Sequence, residues 1–175
     1  MSEPVRGWRR SGLLWWPLGL GALLLDQASK ELIRHQLQLH ESIYLLPVFN
    51  IVHARNYGAA WSFLDVPGGW QRWLFTLFAL AVAGGLLLAL RRAGGLVHRP
   101  QNAGLMLIVS GALGNAVDRL RHGYVVDFIQ VHWHSAYFPA FNVADSCITV
   151  GAGLILLEAL LEWRRERHST GGHGG

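Results

Sequence analysis

The chain has 175 residues, enough for one domain, and is 51% apolar but only 15% charged, against roughly 25% charged residues in soluble domains. Long uncharged runs in so short a chain exclude a soluble fold, and eight tryptophans with 21 glycines fit a membrane protein, where both are enriched. The formal net charge of +4 does not mark a nucleic-acid binder, because Lys and Arg cluster at the ends of the apolar runs, as topology signals do. The single cysteine, Cys147, excludes an internal disulfide and a thiolate metal cluster within one chain.

Arg6, Arg9 and Arg10 precede an uncharged run that resembles the start of a signal peptide. No small-x-small cleavage pattern follows, and the helical pattern continues through Asp26 and Lys30, so residues 12–33 are expected as a retained first span. Asp26 then lies ~21 Å along the helix from Gly12, toward the far side of a ~30 Å hydrocarbon core. Its i, i+4 spacing to Lys30 allows an intrahelical ion pair. The alternative is that both groups fix polar partners near a functional site.

Residues 42–54 are rich in Ile, Val, Tyr and Phe around Pro47, which predicts short strands. A small-residue run from Asn56 through Ser62 and a turn at 65–69 follow. Residues 73–90 carry no charge and form the clearest span, bounded by Arg72 and by Arg91 and Arg92. The third span, 103–119, contains Gly104, Ser110, Gly111, Ala112 and Gly114, small residues that let helices approach closely. Asn115 near its end calls for an interhelical hydrogen bond. The fourth span, 140–161, is followed by Arg164, Arg165 and Arg167, and 169–175 is expected as a disordered Gly-rich tail.

The N-terminal segment, the 91–101 connection and the C-terminal tail carry three Lys or Arg each, whereas 35–69 holds one and 123–139 none. The positive-inside rule therefore predicts cytoplasmic termini and outward-facing loops at 35–69 and 123–139. On that topology Asp26, Asp127 and Asp145 converge at one depth on the outer side. Carboxylates are costly near hydrocarbon, so they read as functional by default. Asp118 and Arg119 read first as a salt bridge or topology anchor.

Asp127 sits among Tyr124, Val125, Val126, Phe128 and Ile129, where desolvation would raise its pKa. Asp145 follows Asn142 by three residues, the spacing of a capping box at the start of the fourth span. A helix N-terminus also stabilises a carboxylate. Two aspartates in such opposed settings suggest acid–base chemistry on water, Asp145 holding the charge and Asp127 the proton. His132 and His134 have a strand-type metal spacing but no third ligand, so they read as interfacial surface. A proton-coupled carrier using Asp26, Asp118 and Asp127 as a relay is the main rival. It fits poorly with an uncharged second span and acids gathered at one boundary.

These residues resemble a known family, the bacterial lipoprotein signal peptidases, or signal peptidase II. The resemblance runs in order through Asp26-Gln27-Ala28-Ser29-Lys30, Asn56-Tyr57-Gly58-Ala59-Ala60, Gly114-Asn115-Ala116-Val117-Asp118-Arg119, Val125-Val126-Asp127-Phe128 and Phe141-Asn142-Val143-Ala144-Asp145-Ser146. Trp61 stands where the family usually has phenylalanine. The resemblance implies an all-α membrane peptidase with four transmembrane helices, a small extracytoplasmic β-element and both termini cytoplasmic, in one domain over 1–168. It implies an aspartic endopeptidase of the bacterial inner membrane that cleaves prolipoproteins before a diacylglyceryl cysteine. Asp127 and Asp145 would then be the catalytic pair. Asn56, Gly58, Asn115, Asp118, Arg119 and Asn142 would line or brace the site, with Asp26 and Lys30 in support. No metal or cofactor is implied, and the expected partners are the lipidated precursor and membrane lipid, with no nucleic acid and no obligate protein partner.

Overall fold

The computed structural model describes residues 11–58, 69–92 and 100–170. The N-terminal arginines, the small-residue run from Ala59 through Ser62 with Trp61, the turn at 65–68, the basic connection at 93–99 and the glycine-rich end from 171 lie outside the described residues.

A 3-10 turn, Gly12–Trp15, leads into helix α1, Trp16–Gln36, with Pro17 in its first turn, where a missing N–H costs little. The other helices are α2, Trp70–Arg92; α3, Pro100–His122; and α4, Val143–Thr170. Helix α3 is central and packs against the other three. Among the described residues, three helical segments are long and apolar enough to cross a membrane: Trp70–Arg92, Pro100–His122 and Val143–Arg167. The 23 residues of α2 extend about 34 Å, more than the ~30 Å of hydrocarbon.

Helix α1 is not among the three. The segment expected as a span at 12–33 is a 3-10 turn plus a helix that carries Asp26, Lys30, Glu31 and Arg34. Helices α2 and α3 begin earlier than expected, at Trp70 and Pro100, because polar residues mark a hydrocarbon boundary without ending a helix. Helix α4 runs past 161 and includes Ser169 and Thr170, both expected in the tail. No helix breaker lies between 161 and 170, and Leu, Glu and Arg propagate a helix well.

Close approach between α3 and α4 depends on glycine. A methyl group at Gly104 or Gly151 would run into the carbonyl of the other, and one at Gly111 would strike the Ala144 carbonyl. Gly111→Leu is expected to cost roughly 1–3 kcal/mol by overpacking, read as a lower unfolding temperature in detergent. An unchanged midpoint would mean that this contact does not hold the two helices.

The expected strands around Pro47 are β1, Ser42–Leu46, and β2, Phe49–Asn56. The connection at 123–139, expected as a loop, instead forms β3, Val125–Trp133, and β4, Ala136–Tyr137. All four make one antiparallel sheet in the order β1-β2-β3-β4. The alternating β-branched run of β3 needs the edge of β2 to pair with, and that partner is remote in sequence. A bulge in β2 sets the register: Ile51 faces Ile129, but Ala54 faces Asp127 and Asn56 faces Val125. One extra residue moves all later side chains to the opposite face. An unbulged strand would turn His53 and Arg55 toward Asp127; the bulge turns Ala54 and Asn56 there instead. Behind the sheet, Val126 and Phe128 pack on Ile33 of α1 and on Leu37 just past its end.

Candidate active site

Four buried or half-buried aspartates gather where the sheet meets the helices, and their partners divide them into two kinds. Asp26 and Asp118 share one cation. Lys30 Nζ lies 2.9 Å from Asp26 Oδ2 and 3.2 Å from Asp118 Oδ2, and donates to Asn115 Oδ1 at 3.0 Å. Three ammonium protons thus meet three acceptors, which is how a lysine 2% exposed can stay charged. The intrahelical pair expected from the Asp26–Lys30 spacing is present. The salt bridge expected at Asp118 is also present, but its partner is Lys30 on another helix.

Asp26 also caps helix α4 from a distance. Its Oδ1 accepts the Ala144 N–H at 2.8 Å, one of the donors that a helix start leaves unpaired. Asp118 Oδ2 likewise accepts the Val126 N–H at 3.1 Å, tying α3 to the start of β3. Gln27 completes this layer. Its Nε2 lies within hydrogen-bonding distance of Asp26 Oδ2, Asp118 Oδ1 and the Gly114 carbonyl. Gln27 is not among the site residues expected from the sequence, although it lies within the Asp26-Gln27-Ala28-Ser29-Lys30 block.

Asp127 and Asp145 have no basic partner within ion-pair distance among the described residues. Their partners are neutral amides. Asp127 Oδ1 accepts from Asn142 Nδ2 at 2.7 Å and its Oδ2 from Asn56 Nδ2 at 3.0 Å. Asp145 Oδ1 accepts from Asn115 Nδ2 at 2.8 Å and its Oδ2 from the Asn142 N–H at 3.3 Å. The expected capping box is reciprocal, since Asn142 Oδ1 accepts the Asp145 N–H at 2.9 Å.

The amide orientations are not arbitrary. Asn56 Oδ1 accepts the Gly58 N–H at 3.1 Å, and Asn142 Oδ1 is held by the Asp145 N–H. Each amide therefore presents its NH2 to Asp127. Asn142 is fully buried and links both acids, and its Nδ2 also lies 3.3 Å from Asn115 Oδ1 and from the Val126 carbonyl. Arg119 makes no ion pair with the acids; its Nη2 donates to the Gly58 carbonyl at 3.1 Å, and the charges of Asp145, Asp127 and Asp118 act on it from nearby. Its guanidinium lies 5.3 Å from the Phe75 ring centre.

Burial pushes the Asp127 carboxyl up from its ordinary value to about 7, with repulsion from Asp145 adding to the shift. The amides of Asn56 and Asn142 and the charge of Lys30 pull the other way and are outweighed.

His132 and His134 do not form a metal pair. His132 is buried, with its ring stacked on Tyr137 at 5.1 Å and tilted against Tyr44 at 6.5 Å. His134 occupies the β3–β4 turn at φ 52°. The expected surface position thus fails for His132, because strand pairing folds Tyr137 over it. Among the described residues, no group of three His, Cys, Asp or Glu side chains is placed to hold a metal ion.

A sequence model of the family described as Signal peptidase (SPase) II matches residues 18–161. The chain is 48% identical to a lipoprotein signal peptidase of Shewanella pealeana over 164 residues, covering 94% of this chain and 96% of that protein. It is 46% identical to the lipoprotein signal peptidase of Shewanella sediminis, over 94% and 93% of the two chains. A solved structure described as a bacterial membrane enzyme superposes with a TM-score of 0.73 at 31% identity, covering 86% of this chain and 87% of that one.

Proposed function

The chain belongs to the signal peptidase II family of membrane peptidases, and from that premise we propose that it removes the signal peptide from diacylglyceryl-modified prolipoproteins. Cleavage falls before the lipidated cysteine, and Asp127 and Asp145 activate the attacking water. One observation carries this reading: of four clustered aspartates, two share Lys30 and two face only amides. The first pair shares one cation and holds the helices and sheet together. The second pair keeps its proton chemistry available.

The steps follow from the two environments. Asp145 stands at the N-terminus of α4, where it accepts from the Asn115 NH2 and the Asn142 backbone N–H, and it serves as the base of the pair. It takes a proton from water as that water attacks the scissile carbonyl. Asp127, protonated near neutral pH, donates its proton to the carbonyl oxygen or the leaving amine, and the pair returns to a singly protonated state. Asn56, Asn115 and Asn142 hold the two carboxyls in place. Arg119 fixes the strand end at Gly58, and Lys30 with Asp26 and Asp118 anchors the layer beneath. No metal or cofactor enters any step.

In the bilayer, α1 joins the three long apolar helices as a fourth span, its charges resolved within the protein. Both termini face the cytoplasm of the bacterial inner membrane and the sheet faces outward. A lipidated cysteine is held by its acyl chains at the leaflet boundary, so the scissile bond is delivered at the depth of the pair, a gain in orientation.

The direct test is cleavage by purified protein of a precursor with and without its diacylglyceryl group. Cleavage before the modified cysteine is expected, with little or none in the unmodified precursor. Equal rates on both would reject the lipid requirement. The pH profile is a second test. With Asp127 as the acid, activity is expected to fall as pH rises through about 7, because the proton to be donated is lost. A profile flat from pH 6 to 9 would remove Asp127 from that role.

A further inference from the structure

The pairing of β2 with β3 ends at Asn56, opposite Val125, and Asn56 is also the residue whose NH2 reaches Asp127. A strand end is where a ladder frays, so the side chain on Asp127 needs a hold besides the ladder. In front, the Gly58 N–H pins Asn56 Oδ1, and Arg119 holds the Gly58 carbonyl. Behind, a second hold is built from side chains that no step of the reaction uses.

Side chains alternate along a strand, and Arg55 and Tyr57, on either side of Asn56, both turn to the other face and meet the ring of Tyr124. The Arg55 guanidinium lies 4.6 Å from the centre of that ring. The Tyr57 ring lies 5.6 Å from it, tilted by 60°. Tyr124 can support them because it is itself fixed. It packs against the buried cluster of Ile33, Leu37, Val126 and Phe128, and the His122 ring flanks it at 5.9 Å. An ordinary cross-strand contact joins one residue of each strand; here one ring takes both neighbours of the residue that serves Asp127. Tyr57 is 46% exposed, so its ring buries little surface, and what the contact constrains is the direction of the chain at Asn56.

We propose that Tyr124 is a positioning residue for the acid of the pair: by clasping Arg55 and Tyr57 it keeps the end of β2 turned so that the Asn56 NH2 meets Asp127. This deepens the reading of Asp127 as the acid and rests on it. A hydrogen bond to a carboxylate favours its ionised form, and the Asn56 amide holds the Asp127 carboxyl down against burial and the charge of Asp145. The other groups that face Asp127 are Asn142, just before α4, Lys30 of α1 and Arg119 of α3. None of them belongs to the clasp, so loosening it weakens the Asn56 bond in particular. Asp127 then keeps its proton to higher pH, in a carboxyl less firmly held.

The test is the pH profile of precursor cleavage by the detergent-purified full chain, with the Asp127 titration followed in parallel by infrared difference spectra against Asp127→Asn. In Tyr124→Leu the alkaline limb and the infrared midpoint should both rise by roughly half to one pH unit, the share of one hydrogen bond to a charged group. The plateau rate should fall several-fold. Tyr57→Leu, which breaks the same contact from an exposed position, should shift both in the same direction, and Tyr124→Phe, which keeps the ring, should behave as wild type. In Asn56→Ala, where the bond is already gone, adding Tyr124→Leu should bring no further shift. A lower plateau and melting temperature with the limb and midpoint unmoved would mean a merely structural ring and overturn the proposal. So would an equal shift in Tyr137→Leu, which removes a ring stacked on His132 instead, or a further shift of the same size in the Asn56→Ala background. A raised infrared midpoint with an unchanged cleavage profile would keep the clasp and remove Asp127 as the acid.

Discussion

Asp127→Asn and Asp145→Asn are each expected to lower precursor cleavage by about 10²–10⁴-fold, the range that positioned acid–base catalysis supplies. The substitution is close to isosteric, so the fold should survive. At 127 it has a further consequence. Asp127 now accepts from two NH2 groups, those of Asn56 and Asn142, and each of those amides is pinned from behind by a backbone N–H. An asparagine there can accept from only one and must turn its own NH2 against the other, at about 1–3 kcal/mol for the unpaired group. Single-turnover cleavage of the lipidated precursor, beside thermal unfolding of each variant, separates the two effects. The double variant should be hardly slower than either single one, because the acids act as a unit. More than a tenth of wild-type activity in either single variant, with folding intact, would dismiss the pair.

Lys30→Met should be the most damaging change to stability, by roughly 3–5 kcal/mol, the cost of leaving a buried charge without its partner. Asp26 and Asp118 are 1% and 2% exposed, and both lose their cation at once. The damage would spread, because Asp26 caps α4 at Ala144 and Asp118 holds the first paired residues of β3. Asn115 would lose one of the contacts that orient its NH2 toward Asp145, so activity should fall too. Lys30→Met/Asp118→Asn, which removes one of the stranded charges, is expected to recover part of the unfolding temperature. If Lys30→Met melted with wild type, the ion cluster would not be what holds α1 to α3.

Much was legible because it is local. The apolar runs announce α2, α3 and α4. The three-residue step from Asn142 to Asp145 announces a capping box that lies within one helical turn. The four-residue step from Asp26 to Lys30 announces their ion pair. Composition excluded a soluble protein, and the ordered motifs pointed to the family that the comparisons then established.

What only the tertiary structure decided are contacts between residues far apart in the chain. Ala144 and Asp26, separated by 118 positions, meet at the start of α4; Lys30 and Asn115, separated by 85, meet between α1 and α3. No periodicity encodes such pairs, so the sequence does not show that Gln27 bridges Asp26 and Asp118 or that the cation paired with Asp118 is Lys30. The sheet was half visible for the same reason. A hairpin such as β1–β2 is a neighbour contact, whereas β3 pairs with a strand laid down about seventy residues earlier, and isolated hairpins need such added strands to persist. The bulge in β2 decided which face of that strand Asn56 occupies, because one extra residue reverses every side chain after it. The chain alone therefore determined which acids are present and which apolar stretches become helices. Folding determined which two share Lys30 and which two accept hydrogen bonds only from amides.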